Sequence, residues 1–231
     1  MMLRRARAIL FAIAYYPLSV VMVLAAPIAA LFGKQVLRAH CNAWAGLLPA
    51  LARIFLGITT RIEGEIPRGP YLFAAKHESL FEAMDLTRML GAPATVMKRE
   101  LASIPLWGWA TRQYGVIVID RSGSAKALRQ MMTEAKVARE EGRPVLIFPE
   151  GTRVPVGERA ELRAVEPGKA RALGLAVVPV AVDSGRVWPL DDVQRPGVIT
   201  YRFGEPIPPG LPRAEIEARV VEAINALNAQ S

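Results

Sequence analysis

With 231 residues, 52% of them hydrophobic, the chain is long enough for one domain with a sizeable core plus an additional segment. Its 29 lysines and arginines exceed its 21 acidic residues and give a formal net charge of +8, which favours anionic lipid or phosphate ligands; nucleic acid is not expected, because the sequence has no basic block or zinc-ligand spacing. Cys41 is the only cysteine, which excludes an internal disulfide and a multi-cysteine metal site and favours a reducing, cytoplasm-facing domain.

The first 58 residues have the pattern of a membrane-attached segment. Residues 8–33 carry no charged side chain, a length sufficient to cross a bilayer as a helix, although Pro17 and Pro27 interrupt the run. Basic residues stand on both sides of it: Arg4, Arg5, Arg7, Lys34 and Arg38. We predict a hydrophobic helical hairpin over about residues 8–56, with both ends on the cytoplasmic face. It either dips into one leaflet or combines one span with an interfacial helix; a cleaved signal peptide is the alternative.

From residue 59 the pattern changes to short β-like runs that alternate with helices. Candidate strands are 59–63, 71–75, 95–98, 116–120, 145–148, 177–182 and 199–203. Candidate helices are 80–90, 105–114, 124–141, 169–173 and 213–228, and a loop is expected over 154–166. This alternation predicts an α/β fold with a mixed, largely parallel sheet flanked by helices. We therefore divide the chain into a membrane-associated segment, 1–58, and an α/β domain, 59–231.

The first motif with chemical meaning follows the apolar run 71–75. His77 comes two residues after this run, and Glu82 lies five residues further on, where a helical pattern begins. A histidine can take a proton from an alcohol near neutral pH when a carboxylate holds its ring in the correct tautomer. The pair is therefore a candidate general base, although a surface histidine at a helix start is an equally simple reading.

Basic residues follow three further predicted strands. Residues 145–148 lead into Pro149, Glu150, Gly151, Thr152 and Arg153. Lys98 and Arg99 end another strand, and Arg121 ends a third. Because ligands of α/β folds bind at the carboxyl edge of the sheet, these cations could converge on one anionic group, and arginine suits bidentate phosphate contact.

Taken together, these motifs resemble the four blocks of the 1-acyl-glycerol-3-phosphate (lysophosphatidic acid) acyltransferase family, in the same order. The residues that carry the resemblance are His77 to Glu82, Lys98 to Leu101 with Pro105, Gly108, Asp120 and Arg121, Phe148 to Arg153, and Val177 to Ala181. It covers about residues 70–185, and the order and spacing of its motifs make it specific. The hydrophobic N-terminal segment is similar in kind.

Two positions depart from the family pattern. The first block ends in Glu82 where the family has aspartate, and Asp85 and Glu78 are competing candidates for the histidine's partner. Spacing favours Glu82. Glu166 stands before Pro167 and Gly168, where the family tends to have lysine, which weakens any prediction about the charge of the substrate loop.

The resemblance implies a role for each motif residue. His77 would be the general base and Glu82 its orienting partner, while Ser79 is read as a helix cap because no nucleophile elbow is present. The implied substrate-phosphate site comprises Lys98, Arg99, Arg121, Glu150, Gly151, Thr152 and Arg153. Lys98 and Arg153 would hold the phosphate, and Glu150 and Gly151 would shape the pocket.

The resemblance also implies the substrates and the location. The acyl donor would be acyl-CoA or an acyl-carrier protein, the acceptor 1-acyl-glycerol-3-phosphate and the product phosphatidic acid, without a metal or another cofactor. The expected partners are the lysophospholipid, the acyl thioester and membrane lipids, at the inner (cytoplasmic) membrane with the active site facing the cytoplasm. Another lysolipid acceptor such as lyso-ornithine lipid, a catalytically silent lipid-binding protein and a thioesterase are the alternatives.

Overall fold

The computed structural model describes residues 2–119, 125–162 and 174–228. Its helices are α1 Met2–Leu31, α2 Lys34–Leu51, α3 Phe81–Met89, α4 Arg99–Ala102, α5 Trp107–Tyr114, α6 Ala125–Glu140 and α7 Arg213–Ile224. Its strands are β1 Ile58–Glu63, β2 Leu72–Ala75, β3 Ala94–Lys98, β4 Ile117–Ile119, β5 Val145–Ile147, β6 Val177–Val182 and β7 Gly197–Phe203. A π-helical turn, Ala52–Leu56, extends α2, and a 3₁₀ turn, Ser184–Arg186, follows β6.

The seven strands form one sheet in the order β1-β7-β6-β2-β5-β3-β4. All neighbouring strands are parallel except β6 and β7, which pair antiparallel. This confirms the mixed, largely parallel sheet. The strand that leads to His77, β2, is the central one and is buried along its whole length. The carboxyl ends of β2, β3, β5 and β6 therefore meet at one edge of the sheet, where the predicted motifs lie.

The predicted N-terminal hairpin is present as two antiparallel helices. Helix α1 continues through both prolines, although each removes a backbone N–H from the helix. Contacts between His40 and the carbonyl of Met22, at 2.7 Å, and between Trp44 and Ser19, at 2.9 Å, join the two helices. Within the described residues, α1 is the one helix long and apolar enough to cross a membrane.

The hairpin shares a core with the sheet. Phe11 and Tyr15 of α1 are buried in the cluster that contains Phe73 of β2 and Phe81 of α3. Trp188, which follows the 3₁₀ turn, packs against Phe11 and Phe81 with ring centroids 5.6 Å away in both cases. The predicted boundary at residues 58 and 59 thus divides the chain by composition, while the packing joins the two parts.

Several element boundaries differ from the sequence-based expectation. A short helix, α4, follows β3 directly and had not been predicted. The closing helix ends at Ile224 instead of at residue 228, and β7 begins two residues earlier than predicted. The helix expected at 169–173 and the end of the strand at residue 120 lie outside the described residues.

Candidate active site

His77 and Glu82 form a hydrogen-bonded pair at the end of the central strand. The His77 Nδ1 atom lies 2.8 Å from Glu82 Oε1. The side chain of His77 is 20% exposed while that of Glu82 is fully buried, so the carboxylate contacts the ring from the protein interior. The imidazole also stacks on Phe148, with ring centroids 4.3 Å apart. With Nδ1 engaged by Glu82, Nε2 is the ring nitrogen left to take a proton.

Glu82 is held as a buried carboxylate by donors on every side. In addition to His77, the backbone N–H groups of Glu78 and Ser79 donate to Oε1, at 2.8 and 2.7 Å. The hydroxyls of Ser79 and Ser184 donate to Oε2. Burial acts to raise the pKa of the Glu82 carboxyl, but the hydrogen bonds from His77, Ser184 and Ser79 outweigh it and hold this pKa below its ordinary value.

The other two candidate partners of His77 have separate roles. Asp85 is buried and accepts hydrogen bonds from Arg88 at 2.9 and 2.8 Å. Glu78 accepts the backbone N–H of Gly185 at 2.9 Å. A side chain at position 185 would not fit, because its Cβ would lie 2.7 Å from Val156. The structure thus selects Glu82, as the spacing had favoured.

A buried ion pair connects the ends of β2 and β5. Lys76 Nζ lies 3.1 Å from Glu150 Oε1, and both side chains are fully buried. The remaining ammonium hydrogens are directed to the carbonyl of Glu158 and to Asn225 Oδ1, each at 2.9 Å. The second oxygen of Glu150 accepts the backbone N–H of His77 at 2.8 Å. One carboxylate therefore fixes the backbone at the histidine.

A cavity of about 800 Å³ opens beside His77. Of the predicted phosphate ligands, four line this cavity: Lys98, Gly151, Thr152 and Arg153. Gly151 makes the turn that carries Thr152 and Arg153 to the cavity, with a positive φ of 68° that favours glycine. Two cationic side chains thus share one cavity with the imidazole.

Two predicted phosphate ligands, Glu150 and Arg99, do not line this cavity, and a third lies outside the described residues. Glu150 was predicted to shape the phosphate pocket, but its carboxylate is 1% exposed and is engaged by Lys76 and His77. Arg99 lies on α4 and lines a separate concavity along β4, because the chain turns into a helix directly after Lys98. Arg121 lies outside the described residues.

Most of the residues that line the cavity are apolar. Two N-terminal helices contribute to it, through Met22, Val23 and Ala26 of α1 and Cys41, Trp44 and Ala45 of α2. Burial raises the pKa of the Cys41 thiol to about 11, so this side chain is a neutral, apolar wall residue. The cavity can therefore hold a hydrocarbon chain with its polar end near His77.

Comparison with known proteins identifies the family. A family model described as Acyltransferase matches residues 57–183, more than half of the chain. The chain belongs to this acyltransferase family. It is 35% identical over 164 residues to a 1-acyl-sn-glycerol-3-phosphate acyltransferase of Pseudomonas aeruginosa, a match that covers 70% of this chain and 64% of that relative. The chain thus spans less than two thirds of that relative's length.

Two further acyltransferases extend the comparison. A lyso-ornithine lipid O-acyltransferase of Pseudomonas aeruginosa is 31% identical over 191 residues, covering 73% of this chain and 72% of that relative. The crystal structure of the 1-acyl-sn-glycerophosphate (LPA) acyltransferase PlsC from Thermotoga maritima matches with a TM-score of 0.75 over 98% of both chains, at 22% identity. The resemblance found in the sequence motifs is confirmed, and the Thermotoga structure has the same fold.

Sequence reasoning missed two residues that organise the acyltransferase site. Lys76 directly precedes His77, and nothing in its sequence position indicated that it would be buried. Ser184 lies beyond the fourth motif and reaches Glu82 from the turn after β6. Within residues 2–119, 125–162 and 174–228, no three histidine, cysteine or acidic side chains lie close enough to hold a metal ion.

The Lys76–Glu150 pair generates a stability prediction. Lys76→Met leaves Glu150 as a buried carboxylate without its cation, so we expect the free energy of unfolding in detergent to fall by about 3–5 kcal/mol. The double variant Lys76→Met/Glu150→Gln removes the uncompensated charge and keeps an acceptor for the His77 N–H. Thermal or denaturant unfolding should therefore show the double variant to be more stable than Lys76→Met. Equal stabilities would contradict the assignment.

Glu78 generates a pH prediction. Burial raises the pKa of its carboxyl from 4.5 to about 7, against opposing contributions from the Gly185 hydrogen bond and the Lys76 charge. Between these two pH values the folded protein holds a proton that the unfolded chain has released, so the free energy of unfolding should fall with rising pH, by about 3 kcal/mol in total. Glu78→Gln should flatten this dependence in unfolding measurements at pH 4.5–8. Glu161→Gln, at an exposed position, is the control and should leave the slope unchanged.

Proposed function

We propose that this protein transfers a fatty acyl group from an acyl thioester to the free hydroxyl of 1-acyl-glycerol-3-phosphate, and so forms phosphatidic acid for phospholipid biosynthesis. One observation carries the proposal: the buried Glu82 carboxylate supports His77, which lines one cavity together with two cations, Lys98 and Arg153, and many apolar side chains. A lysophospholipid has this same division, with a phosphate, a hydroxyl and a hydrocarbon chain.

The geometry supports a direct transfer with His77 as general base. Nε2 would take the proton from the acceptor hydroxyl while that oxygen attacks the thioester carbonyl. The tetrahedral intermediate then expels the thiolate, and the imidazolium returns its proton to the sulfur, so that a new ester and a free thiol are formed. Glu82 would stabilise the imidazolium, as a buried carboxylate with its pKa held low can do. No acyl-enzyme is needed.

Lys98 and Arg153 would bind the phosphate of the acceptor. Both line the cavity that contains His77, and the guanidinium of Arg153 can form two parallel hydrogen bonds with a phosphate. Thr152, which precedes Arg153 and lines the same cavity, adds a hydroxyl. The donor would be acyl-CoA or an acyl-carrier protein, with no metal or cofactor taking part in the reaction.

The hairpin would attach the protein to the inner membrane with its active site facing the cytoplasm. Helix α1 leaves many large apolar side chains exposed, including Ile13, Val20, Val21 and Leu24, which are each more than half exposed. Such a surface is stable in contact with lipid and costly in water. Because α1 and α2 also line the cavity, membrane attachment would bring the site to the level of its lipid substrates.

A lyso-ornithine lipid is the second candidate acceptor. One relative that is 31% identical is a lyso-ornithine lipid O-acyltransferase, and it is matched over more of its own length than the first relative. The general base and the direct transfer would be the same for this acceptor. The two acceptors would differ in their contacts with Lys98 and Arg153, because a lyso-ornithine lipid has no phosphate for Arg153 to bind.

The roles of His77 and Glu82 are tested by measuring the transfer of radiolabelled acyl groups from acyl-CoA in detergent. We expect His77→Ala to abolish formation of phosphatidic acid. Glu82→Gln should lower kcat by about 10²–10⁴-fold, because it removes the charge that stabilises the imidazolium. Glu161→Gln is the control and should retain full activity. Substantial transfer by His77→Ala would refute the general-base assignment.

Arg153→Ala tests the phosphate site and separates the two acceptors. With 1-acyl-glycerol-3-phosphate, the variant should raise KM at least about tenfold, since a charge-assisted contact contributes roughly 1.5–3 kcal/mol. With lyso-ornithine lipid, KM should change little. A fall in kcat alone, with KM for the phosphate acceptor unchanged, would contradict the phosphate role. Wild-type transfer confined to the ornithine lipid would favour the second candidate.

A further inference from the structure

An exposed apolar rim stands beside the cavity, on the segment that contains α4 and α5. We define it by four residues: Leu101, Ile104, Leu106 and Trp109. Each is between 39% and 46% exposed, although all four are large apolar side chains within nine residues of sequence. The roles proposed for His77, Glu82 and the phosphate-binding residues do not involve this exposed surface. Such a cluster on a protein surface marks a contact with a partner or a membrane.

The rim adjoins the cavity wall. Leu101 lines the cavity directly, as does Trp107, which lies between Leu106 and Trp109 in sequence. Trp107 packs edge-on against Trp44 of α2, with ring centroids 6.1 Å apart. The same segment therefore has a buried face toward the cavity and an exposed apolar face. Through Leu101 the rim is continuous with the lining of the cavity.

One exposed rim residue, Leu106, has a strained backbone conformation. Leu106 has φ 59° and ψ −51°, and the N–H of Trp107 bonds to the carbonyl of Pro105 at 2.6 Å. This is the classic γ-turn, which is rare and unfavourable for a side chain such as leucine. Leu106 is also almost half exposed, so packing does not explain its presence. Strain of this kind tends to occur at functional sites.

The surroundings of the rim favour a lipid bilayer as its partner. Helix α5 contacts the C-terminal part of α1 through a small cluster that includes Ala110 and Ala26. Beyond this cluster α1 ends at Leu31, which is 84% exposed, and Phe32 follows it at 73%. The helix that carries Trp109 thus packs against the helix that ends beside this exposed apolar pair. Arg112 follows the rim in sequence and suits anionic headgroups.

We propose that this rim inserts into the membrane surface as a second lipid contact, separate from α1, and that the lysolipid acceptor enters the cavity across it. The bilayer contact stands on the exposed side chains, whereas the entry route rests on the proposed function. Insertion gives a reason for the strained, exposed Leu106 and for the exposed Trp109 on the same segment. It also places the cavity mouth in the region where the acceptor's hydroxyl and phosphate lie.

Tryptophan fluorescence tests the contact without requiring activity. The full-length protein is reconstituted into vesicles of phosphatidylcholine, with or without bromine on the upper part of the acyl chains. We expect bromine to quench the wild type more than Trp109→Phe. Trp188→Phe, which removes a tryptophan packed inside the protein, should be quenched at least as much as the wild type. Equal quenching of the wild type and Trp109→Phe would overturn the proposal; a rim covered by a second copy of the chain would give that result.

Kinetics tests the entry route. Ile104→Ser/Trp109→Ser should raise the apparent KM for a vesicle-embedded acceptor by about tenfold, which corresponds to roughly 1.4 kcal/mol of lost lipid contact. Transfer to a short-chain acceptor dispersed in detergent should stay within about twofold of the wild type, well inside the spread expected for surface changes. Leu190→Ser/Val198→Ser, at similarly exposed apolar positions elsewhere, should change neither value.

The outcomes distinguish the inference from the function on which it rests. An equal loss with both acceptors would overturn the entry route, because the rim would then affect the catalytic site itself. If the wild type transfers no acyl group to either acceptor, the proposed function fails, and the quenching result still decides whether the rim touches lipid.

Discussion

The buried ion pair between Lys76 and Glu150 is the constraint on which the catalytic edge depends. An ammonium group removed from water needs a partner for each hydrogen, and Lys76 finds them in Glu150, the Glu158 carbonyl and Asn225. Glu150 divides its oxygens between this cation and the backbone of His77. Such pairs contribute more to a defined geometry than to net stability in several systems. Here the geometry in question is that of the histidine and the Gly151–Arg153 turn.

The second organising contact compensates for the departure from the family pattern at position 82. A glutamate has one more methylene than an aspartate and one more torsion that must be fixed. The donors around Glu82 come from two places, residues 77–79 and Ser184 after β6, and together they engage both carboxylate oxygens. The longer side chain therefore has no freedom to swing away from His77. The orientation of the His77 ring thus depends on the ends of two neighbouring strands, β2 and β6.

The positions of the strands and the contact between His77 and Glu82 could be predicted from the sequence, because both depend on patterns within a few consecutive residues. Apolar runs bounded by polar residues located all seven strands, and a fixed spacing selected Glu82 over Asp85. The direction of side chains after a strand end has no such pattern. Glu150 and Arg153 are three residues apart, yet one is buried against Lys76 and the other lines the cavity. Arg99 turned away because a helical turn begins at that residue, and Lys76 was overlooked because lysine is rarely buried.

The contact between Lys76 and Asn225 has a consequence for biosynthesis. These two residues are 149 positions apart in the chain, and Asn225 follows the last described helix. A ribosome needs roughly 7 to 30 s to add that many residues. Throughout this interval the residues of α1 and α2 have already been synthesised, while the ammonium beside His77 lacks at least one of its three partners. The helices that can contact a membrane are thus made well before the buried network beside His77 can be completed.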